Sequence, residues 1–197
     1  MKTIAREIVT AIISTLLFAV VLCGIYPVVI WGASLLLFPH AANGSLIESK
    51  DRTIVGSELL GQNFSGAKYF HPRPSAAGAN GYDAVSSGGS NLGPTSQKLV
   101  DAVKARVEAY RTENSLAAGT LVPGDAVTAS ASGLDPHIST KNAGLQVPRV
   151  AQERGLGVEA VRQEVRKATD GRSLGFLGEP GVNVLKLNIA LDNLTVH

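Results

Sequence analysis

Residues 8–38 read IVTAIISTLLFAVVLCGIYPVVIWGASLLLF and contain no charged side chain. A helix needs about 20 apolar residues to cross the hydrocarbon core of a bilayer, where it satisfies its own backbone hydrogen bonds. A cleavable signal peptide has a shorter apolar core with small residues before the cut, whereas Pro39 and His40 follow this run. A helix buried in a soluble core rarely lacks a polar face over this length. We therefore predict a transmembrane helix over 8–38, with its membrane part at about 8–31.

Charges beside the apolar run predict its orientation. Lys2 and Arg6 precede the run, and residues 39–48 after it contain neither Lys nor Arg. Positive charges favour the cytoplasmic side of a membrane. We therefore expect residues 1–7 in the cytoplasm and the chain beyond the helix outside it, which in a bacterium with an inner membrane is the periplasm.

The segment 39–50 is predicted to be a linker, and 51–197 one periplasmic domain, which is long enough for a single core. The net charge of the chain is +2, with both signs mixed along it. There is no basic stripe typical of nucleic-acid binding and no acidic tail. The single cysteine, Cys23, lies in the apolar run, so the outer domain has no disulfide.

Short apolar patterns in 51–197 predict an α+β domain with a small sheet and about three helices. A segment rich in Gly, Ser, Pro and Asn at 65–95 has no periodicity, and long irregular loops of this kind are often functional. The predicted helices run from Thr95 or Ser96 to Tyr110, from Ser139 or Thr140 to Gly155, and over 158–169. The predicted strands lie at 53–55, 127–129 and 182–191, the last with an alternation that slips by one residue.

One face of the predicted membrane helix carries small side chains. They recur at every fourth position, which places them on one side of a helix. Small side chains let two membrane helices approach closely, so this face is a candidate contact with a partner helix. The alternative is that it faces lipid. The residues are Ala11, Thr15, Ala19 and Cys23.

The sequence contains no convincing catalytic set. Ser90, Asp135 and His137 could be assembled into a hydrolase triad, but Asp135 and His137 are two residues apart in a turn, where an Asp more often caps the turn. His71 and Asp83 are the other candidate metal ligands, and no pair of these residues has helical ligand spacing. The Gly-rich run lacks the ending of a phosphate-binding loop. We therefore predict no catalytic residue, no directly bound cofactor and no metal site.

Three blocks of sequence carry a resemblance to a known family. The first is YFHPRPSA at 69–76 with YD at 82–83 and GSNLGPT at 89–95; the second is VP at 122–123 with DAVTASASGLDPHIS at 125–139; the third is QV at 146–147, RVA at 149–151, GR at 171–172, LGFLGEP at 174–180 and VNVL at 182–185. Together with the apolar run they closely resemble the C subunit family of the bacterial Kdp-type potassium-transporting ATPase, over nearly the whole chain. Thr140, Ser96 and Gly181 depart from the Pro, Asn and basic residue expected at those positions.

The resemblance implies a non-catalytic subunit of an inner-membrane complex that takes up K⁺ at the expense of ATP. Its partners would be a channel-like potassium-translocating subunit, a P-type ATPase catalytic subunit and a small single-span subunit. The family's subunit is needed for assembly and is credited with raising the ATP affinity of the catalytic subunit, so ATP and K⁺ are handled by the complex. Two alternatives are an independent membrane-anchored periplasmic enzyme and an envelope chaperone or binding module.

The turn at 130–139 is a second candidate contact with a partner. Gly and Pro residues would fix its path, Leu134 and Ile138 would supply apolar contacts, and Asp135 and His137 would supply polar ones. The alternative is that Asp135 only satisfies the backbone of its own turn.

Overall fold

The structure is a computed structural model that describes residues 2–49 and 51–194. Outside the described residues lie Met1, Lys50 and residues 195–197. The predicted segments 1–7, 39–50 and 51–197 each include some of them. The chain divides into two compact units, Met1–Ile54 and Val55–His197.

The first unit is dominated by one long apolar helix. Helix α1 (Lys2–Ala19) continues through a π-helical segment (Val20–Ile25) into helix α2 (Tyr26–Leu37). The span Thr3–Leu37 has a mean hydropathy of 2.7 over its most apolar window and is long enough to cross a membrane. The prediction of one N-terminal apolar helix is confirmed.

The π-helical segment ends two residues before Pro27. Proline has no backbone N–H to donate and crowds the preceding turn. The N–H of Tyr26 donates to the carbonyl of Val21, five residues back. The helix therefore adapts to the proline by widening its preceding turns.

Three short elements follow the apolar helix. They are helix α3 (Pro39–Ala42) and strands β1 (Leu46–Glu48) and β2 (Ile54–Ser57). The two strands form a two-stranded sheet, so the predicted strand at 53–55 is confirmed. The boundary between the two units falls within β2.

The second unit contains a three-stranded antiparallel sheet. Its strands are β3 (His137–Ser139), β4 (Thr169–Asp170) and β5 (Gly181–Asn183), with β5 in the middle. Ile138 lies opposite Val182, and Thr169 lies opposite Val182 on the other side. The mixed α/β class with a small sheet is therefore confirmed.

The α-helices described in this unit are α4 (Gln97–Glu113), α5 (Gly124–Val127), α6 (Thr140–Arg154), α7 (Val158–Lys167) and α8 (Val184–Leu194). The hydroxyl of Ser139 caps α6 by accepting from the N–H of Asn142. Gly155 ends α6 at φ 63°, a left-handed conformation that glycine adopts without strain. The three predicted helices are confirmed to within a few residues.

Two predicted strands are wrong. Residues 124–127 form a helical turn that ends where the strand 127–129 was expected, and the N–H and hydroxyl of Thr128 both donate to the carbonyl of Gly124. Only 182–183 of the predicted strand 182–191 is extended, as part of β5, and α8 takes the rest. The side chains buried in α8 recur at helical spacing, so the slip in alternation marked the change from strand to helix. They include Val184, Leu187 and Leu191.

The core of the second unit lies between α6, α7, α8 and the sheet. Its buried cluster also includes Phe70, which no helix or strand carries. The irregular segment 65–95 is therefore fastened to the core at Phe70. The other members of the cluster are Ile138, Ala143, Val147, Val150, Ala151, Val161, Val165, Ala168, Val182, Val184, Leu187 and Leu191.

Candidate functional site

Two buried amide side chains hold the irregular segment in place. Asn188 of α8 accepts from the N–H of Phe70 at 2.9 Å and donates to its carbonyl at 3.0 Å. Gln146 of α6 does the same for His71, at 2.8 and 3.1 Å. Each amide thus replaces the hydrogen bonds that a neighbouring strand would give the buried backbone.

Arg149 of α6 extends this attachment. Its guanidinium donates to the Tyr69 carbonyl at 3.0 Å, to the Ala67 carbonyl, to the Asn114 side chain at 3.0 Å and to the Gln146 side chain at 2.9 Å. Burial lowers the pKa of Arg149, while the nearby Glu113 acts in the opposite direction. A single charged side chain therefore connects the loop, α4 and α6.

Arg154, five residues after Arg149 at the end of α6, fixes the outer part of the same loop. It donates to the Lys68 carbonyl at 2.6 Å, pairs with Asp192 of α8 at 2.9 Å, and lies 5.1 Å from the centre of the Tyr69 ring. This geometry allows a cation–π contact. The segment 67–71 is therefore held by α6 and α8 along its whole length.

A cleft of about 620 Å³ opens between this loop and α4. His71 and Glu113 join its two walls, with the Nδ1 atom of His71 2.8 Å from the Glu113 carboxylate. The other ring nitrogen lies 3.1 Å from the Gly66 carbonyl. The hydrogen bond from His71 holds the pKa of Glu113 below its usual value, although burial acts in the opposite direction.

Two tyrosines in the cleft are neutral hydrogen-bond donors. The Tyr110 hydroxyl donates to the Asn142 side chain at 2.8 Å, and the Tyr82 hydroxyl donates to the Arg73 carbonyl at 2.8 Å. Burial raises the pKa of both hydroxyls, and nearby carboxylates add to the effect. The cleft is thus lined by side chains that hold its own walls together.

Arg73 of the irregular segment contacts the predicted contact turn 130–139 through Asp135. One Asp135 oxygen accepts from the His137 N–H at 2.9 Å, and the other accepts from the Arg73 guanidinium at 2.9 Å. Asp135 thus bonds both the backbone of its own turn and Arg73 of the irregular segment. The Leu134 carbonyl accepts from the Gly61 N–H at 2.8 Å, and the Leu134 side chain is half-buried.

His137 and Ile138 of this turn differ in exposure. The Nε2 atom of His137 is 2.8 Å from the Asp170 carboxylate, so the partly exposed ring links β3 to β4. Ile138 is 2% exposed and belongs to the core. Because successive side chains of a strand point to opposite faces, β3 directs Ile138 inward and its neighbours outward.

The hydrolase arrangement considered from the sequence finds no support in this geometry. The His137 Nδ1 atom is 3.8 Å from Asp135, and Nε2, which would have to face a nucleophile, contacts Asp170 instead. Ser90 is exposed. Within residues 2–49 and 51–194, no group of three or more His, Cys, Asp or Glu side chains could hold a metal ion.

Sequence reasoning missed the residue that organises the start of α6. The Asp125 carboxylate accepts from the N–H and hydroxyl of Ser139 at 2.8 and 2.9 Å, and from the Asn142 side chain at 2.9 Å. The nearest available signal was the position of Asp125 in the second sequence block. Local spacing does not indicate that Asp125 bonds Ser139 and Asn142, which lie 14 and 17 residues later in the chain.

The structure divides the predicted membrane face between two places. Ala19 and Cys23 line one apolar groove with Gly24 at the π-helical segment. Ala11 lines a second, shallow groove on α1 together with Arg6 and Thr10. Thr15 lines neither of the two grooves. Because the π-helical segment begins after Ala19, the four-residue spacing of an α-helix no longer applies between Ala19 and Cys23.

Comparison with known proteins identifies the family. The sequence profile described as "KdpC: K+-transporting ATPase, c chain" matches residues 8–193. A protein of Mycobacterium tuberculosis named "Potassium-transporting ATPase KdpC subunit" is 54% identical over 189 residues, which cover 96% of this chain and 99% of that protein. Proteins of the same name from Nitratidesulfovibrio vulgaris and Myxococcus xanthus are each 53% identical, and cover 98% and 90% of this chain and 96% and 84% of their own lengths. The resemblance found in the sequence blocks is confirmed, and the chain belongs to the KdpC family.

Proposed function

We propose that this chain is a non-catalytic accessory subunit of an ATP-driven potassium uptake complex. The observation that carries the proposal is the family match over 8–193, together with the name shared by its relatives. The hydrogen bonding of the second unit supports it. The buried amides and the partly buried His, Asp and Arg groups described above bond one another and the loop backbone, an arrangement suited to displaying a rigid surface.

The apolar helix anchors the chain in the inner membrane with its N-terminus in the cytoplasm. The basic residues before the helix support this orientation, since the ten residues after it contain none. The domain that follows is then periplasmic. A reporter enzyme active only in the periplasm, fused after His197, is expected to be active. Activity of a cytoplasm-only reporter at the same point would contradict this orientation.

The partners are the channel-like potassium-translocating subunit, the P-type ATPase subunit and the small single-span subunit. The groove at Ala19 and Cys23 supports packing of a partner helix against α1, because small side chains allow close approach. The exposed parts of Leu134 and His137 support docking of the outer domain on the channel-like subunit as a cap.

Any effect of this subunit on ATP affinity must act at a distance. ATP is cytoplasmic, and in the proposed orientation the domain lies on the other side of the membrane. A coupling between two such sites requires a conformational equilibrium that both of them influence. The subunit would therefore raise ATP affinity by favouring one state of the assembled complex.

Purification of the whole complex tests this function. The tagged chain is expected to retain the ATPase and channel-like subunits in detergent and to support K⁺-stimulated ATP hydrolysis. Leu134→Ala and His137→Ala are expected to weaken assembly while the isolated chain still melts cooperatively. If purified wild-type chain retains neither subunit, an independent enzyme or an envelope chaperone becomes the better interpretation.

A further inference from the structure

His71 joins the irregular segment to α4 through both nitrogens of its ring. Nδ1 lies 2.8 Å from a carboxylate oxygen of Glu113, and Nε2 lies 3.1 Å from the carbonyl oxygen of Gly66. Both of these oxygens only accept hydrogen bonds. A neutral imidazole has one N–H group and one lone pair, whereas the imidazolium has two N–H groups. Only the protonated ring can therefore donate to both contacts at once.

The backbone of His71 is fixed, so a change in protonation must act through the ring. The Gln146 amide bonds both the N–H and the carbonyl of His71, and Phe70 before it lies in the core. When the ring loses one proton, the remaining proton is favoured on Nδ1, because Glu113 is a charged acceptor. The Nε2 lone pair would then face the Gly66 oxygen, and the bond to Glu113 would lose the charge on its donor. Both contacts of the ring are therefore weaker in the neutral form.

Helix α4 is the element whose position depends on this bond. Within 97–113, all of which the structure describes, Tyr110 is the buried side chain, and no side chain belongs to the buried apolar cluster. Polar contacts attach α4 to the rest of the domain. They include the Tyr110 hydroxyl with Asn142 at 2.8 Å and the Arg106 guanidinium with the Val127 carbonyl at 3.0 Å. An element with few buried apolar contacts opens at a lower free energy than the core does.

Charged groups from several elements surround the pair of His71 and Glu113. Arg149 of α6 opposes protonation of His71, but Glu113 is in direct contact with the ring and interacts with it more strongly. Burial raises the pKa of the two tyrosines of the cleft, and its two arginines stay charged, so His71 is the group among them that changes charge near neutral pH. These tyrosines and arginines are Arg73, Tyr82, Arg106 and Tyr110, with the carboxylates of Asp125 and Asp135 beside the tyrosines.

We propose that His71, with its contacts to Gly66 and Glu113, is a pH-dependent clasp that fastens α4 to the irregular segment when the ring is protonated and loosens α4 when the ring is neutral. The side chain is 19% exposed, so its protons can exchange with solvent. The fastened state is lost as the pH rises and the ring deprotonates. At the acid end it persists until Glu113 is protonated, and the lowered pKa of Glu113 extends that range downward. In the orientation proposed above, the clasp would respond to the pH outside the cytoplasm, and this consequence alone rests on the proposed function.

Hydrogen–deuterium exchange of the full wild-type chain in detergent, at pH 5.5 and pH 8.5, tests the clasp. After correction for the intrinsic exchange rate at each pH, the amides of 110–114 are expected to exchange about 10-fold faster at pH 8.5, the effect of weakening one charge-assisted hydrogen bond. His71→Asn keeps an amide donor near the Nδ1 position but cannot titrate, so its corrected exchange should be the same at both pH values. His40→Asn, in the first unit, is the matched control and should keep the wild-type difference.

Nitrogen-15 NMR of the histidine rings, assigned through the signals lost in His71→Asn, gives an independent measurement. Both ring nitrogens of His71 are expected to carry a proton at pH 5.5, and one of them at pH 8.5. Equal corrected exchange of wild-type 110–114 at the two pH values would overturn the proposal, and so would a 10-fold difference that persists in His71→Asn. The wild-type comparison needs no substitution, so it remains decisive even if His71→Asn melts at a lower temperature. Failure of the chain to bind other subunits would refute the proposed function and leave these results unchanged.

Discussion

The substitution Gly133→Ala tests how tightly the turn 130–139 is packed against the irregular loop. Gly133 has φ 67°. A Cβ atom added there would lie 2.7 Å from the Ala77 Cβ, 2.8 Å from the Gly88 carbonyl oxygen and 2.9 Å from the Ala77 nitrogen. Two of these three atoms are backbone, so the contact cannot be relieved by rotating a side chain.

Gly155→Ala provides the control for the backbone conformation alone. Gly155 has φ 63°, and a Cβ atom there would meet nothing within 4 Å. Alanine in the left-handed region costs about 1–2 kcal/mol, and overpacking a closed site adds about 1–3 kcal/mol. Gly155→Ala is therefore expected to cost about 1–2 kcal/mol of unfolding free energy, and Gly133→Ala about 2–5 kcal/mol.

Thermal unfolding of the full chain in detergent, followed by far-UV circular dichroism, measures the loss of stability in both variants. For a domain of this size, about 1 kcal/mol corresponds to about 4 °C in melting temperature. Gly155→Ala should lower the melting temperature by about 4–8 °C, and Gly133→Ala by about 8–20 °C. Equal shifts for the two variants would refute the steric reasoning. They would mean that the loop yields to the new methyl group and is not rigidly held.

Three further outcomes follow from the described contacts. The pKa of Glu113 is lowered by the His71 hydrogen bond, so its contribution to stability is present above its unfolded-state pKa and is lost as the pH falls through the folded-state value. Urea unfolding at several pH values should therefore show a shallower loss of stability in acid for Glu113→Gln, and curves parallel to wild type would contradict this. Asp125→Ala leaves three donors of the α6 start without their acceptor and should cost about 2–4 kcal/mol in the same assay; a loss under about 0.5 kcal/mol would show that water replaces the carboxylate. Ala19→Leu should reduce copurification of the channel-like subunit while Leu17→Phe does not, and equal assembly of both would show that the Ala19 side of the helix faces lipid.

Helix α6 could be predicted because its ends carry local chemical signals. Ser139 and Gly155 bracket α6 as cap and left-handed stop, and both act over a few residues. The strand predicted at 182–191 failed because Val, Leu and Ile side chains suit either structure in a short apolar run. Deciding between them required knowing which side chains face the core, and that depends on α6 and α7 packing against α8.

The attachment of the loop could not have been predicted from local pattern. The Asn188 amide bonds Phe70 across 118 residues of sequence, and Gln146 bonds His71 across 75. A polar residue on a helix is ordinarily expected at the surface. Only the fold shows that these two amides are buried and bonded to backbone groups. The resemblance marked these segments as characteristic, but it gave no physical reason for their importance.

The bonding of the loop has a consequence for interpreting assembly mutants. The turn 130–139, proposed to meet another subunit, is largely irregular, and irregular backbone keeps its shape only where its polar groups are satisfied. Arg149, Gln146 and Asn188 satisfy the backbone of the loop 67–71 from helices on its inner side. Two residues further along, Arg73 pairs with Asp135 of the turn at 2.9 Å. Removing Arg149 would therefore disturb the exterior surface without any contact between that residue and a partner. A loss of assembly in such a variant would identify a loop support, whereas Leu134→Ala alters a side chain that the turn itself displays. Comparing the melting temperatures of the two variants separates residues that shape an interface from residues that form one.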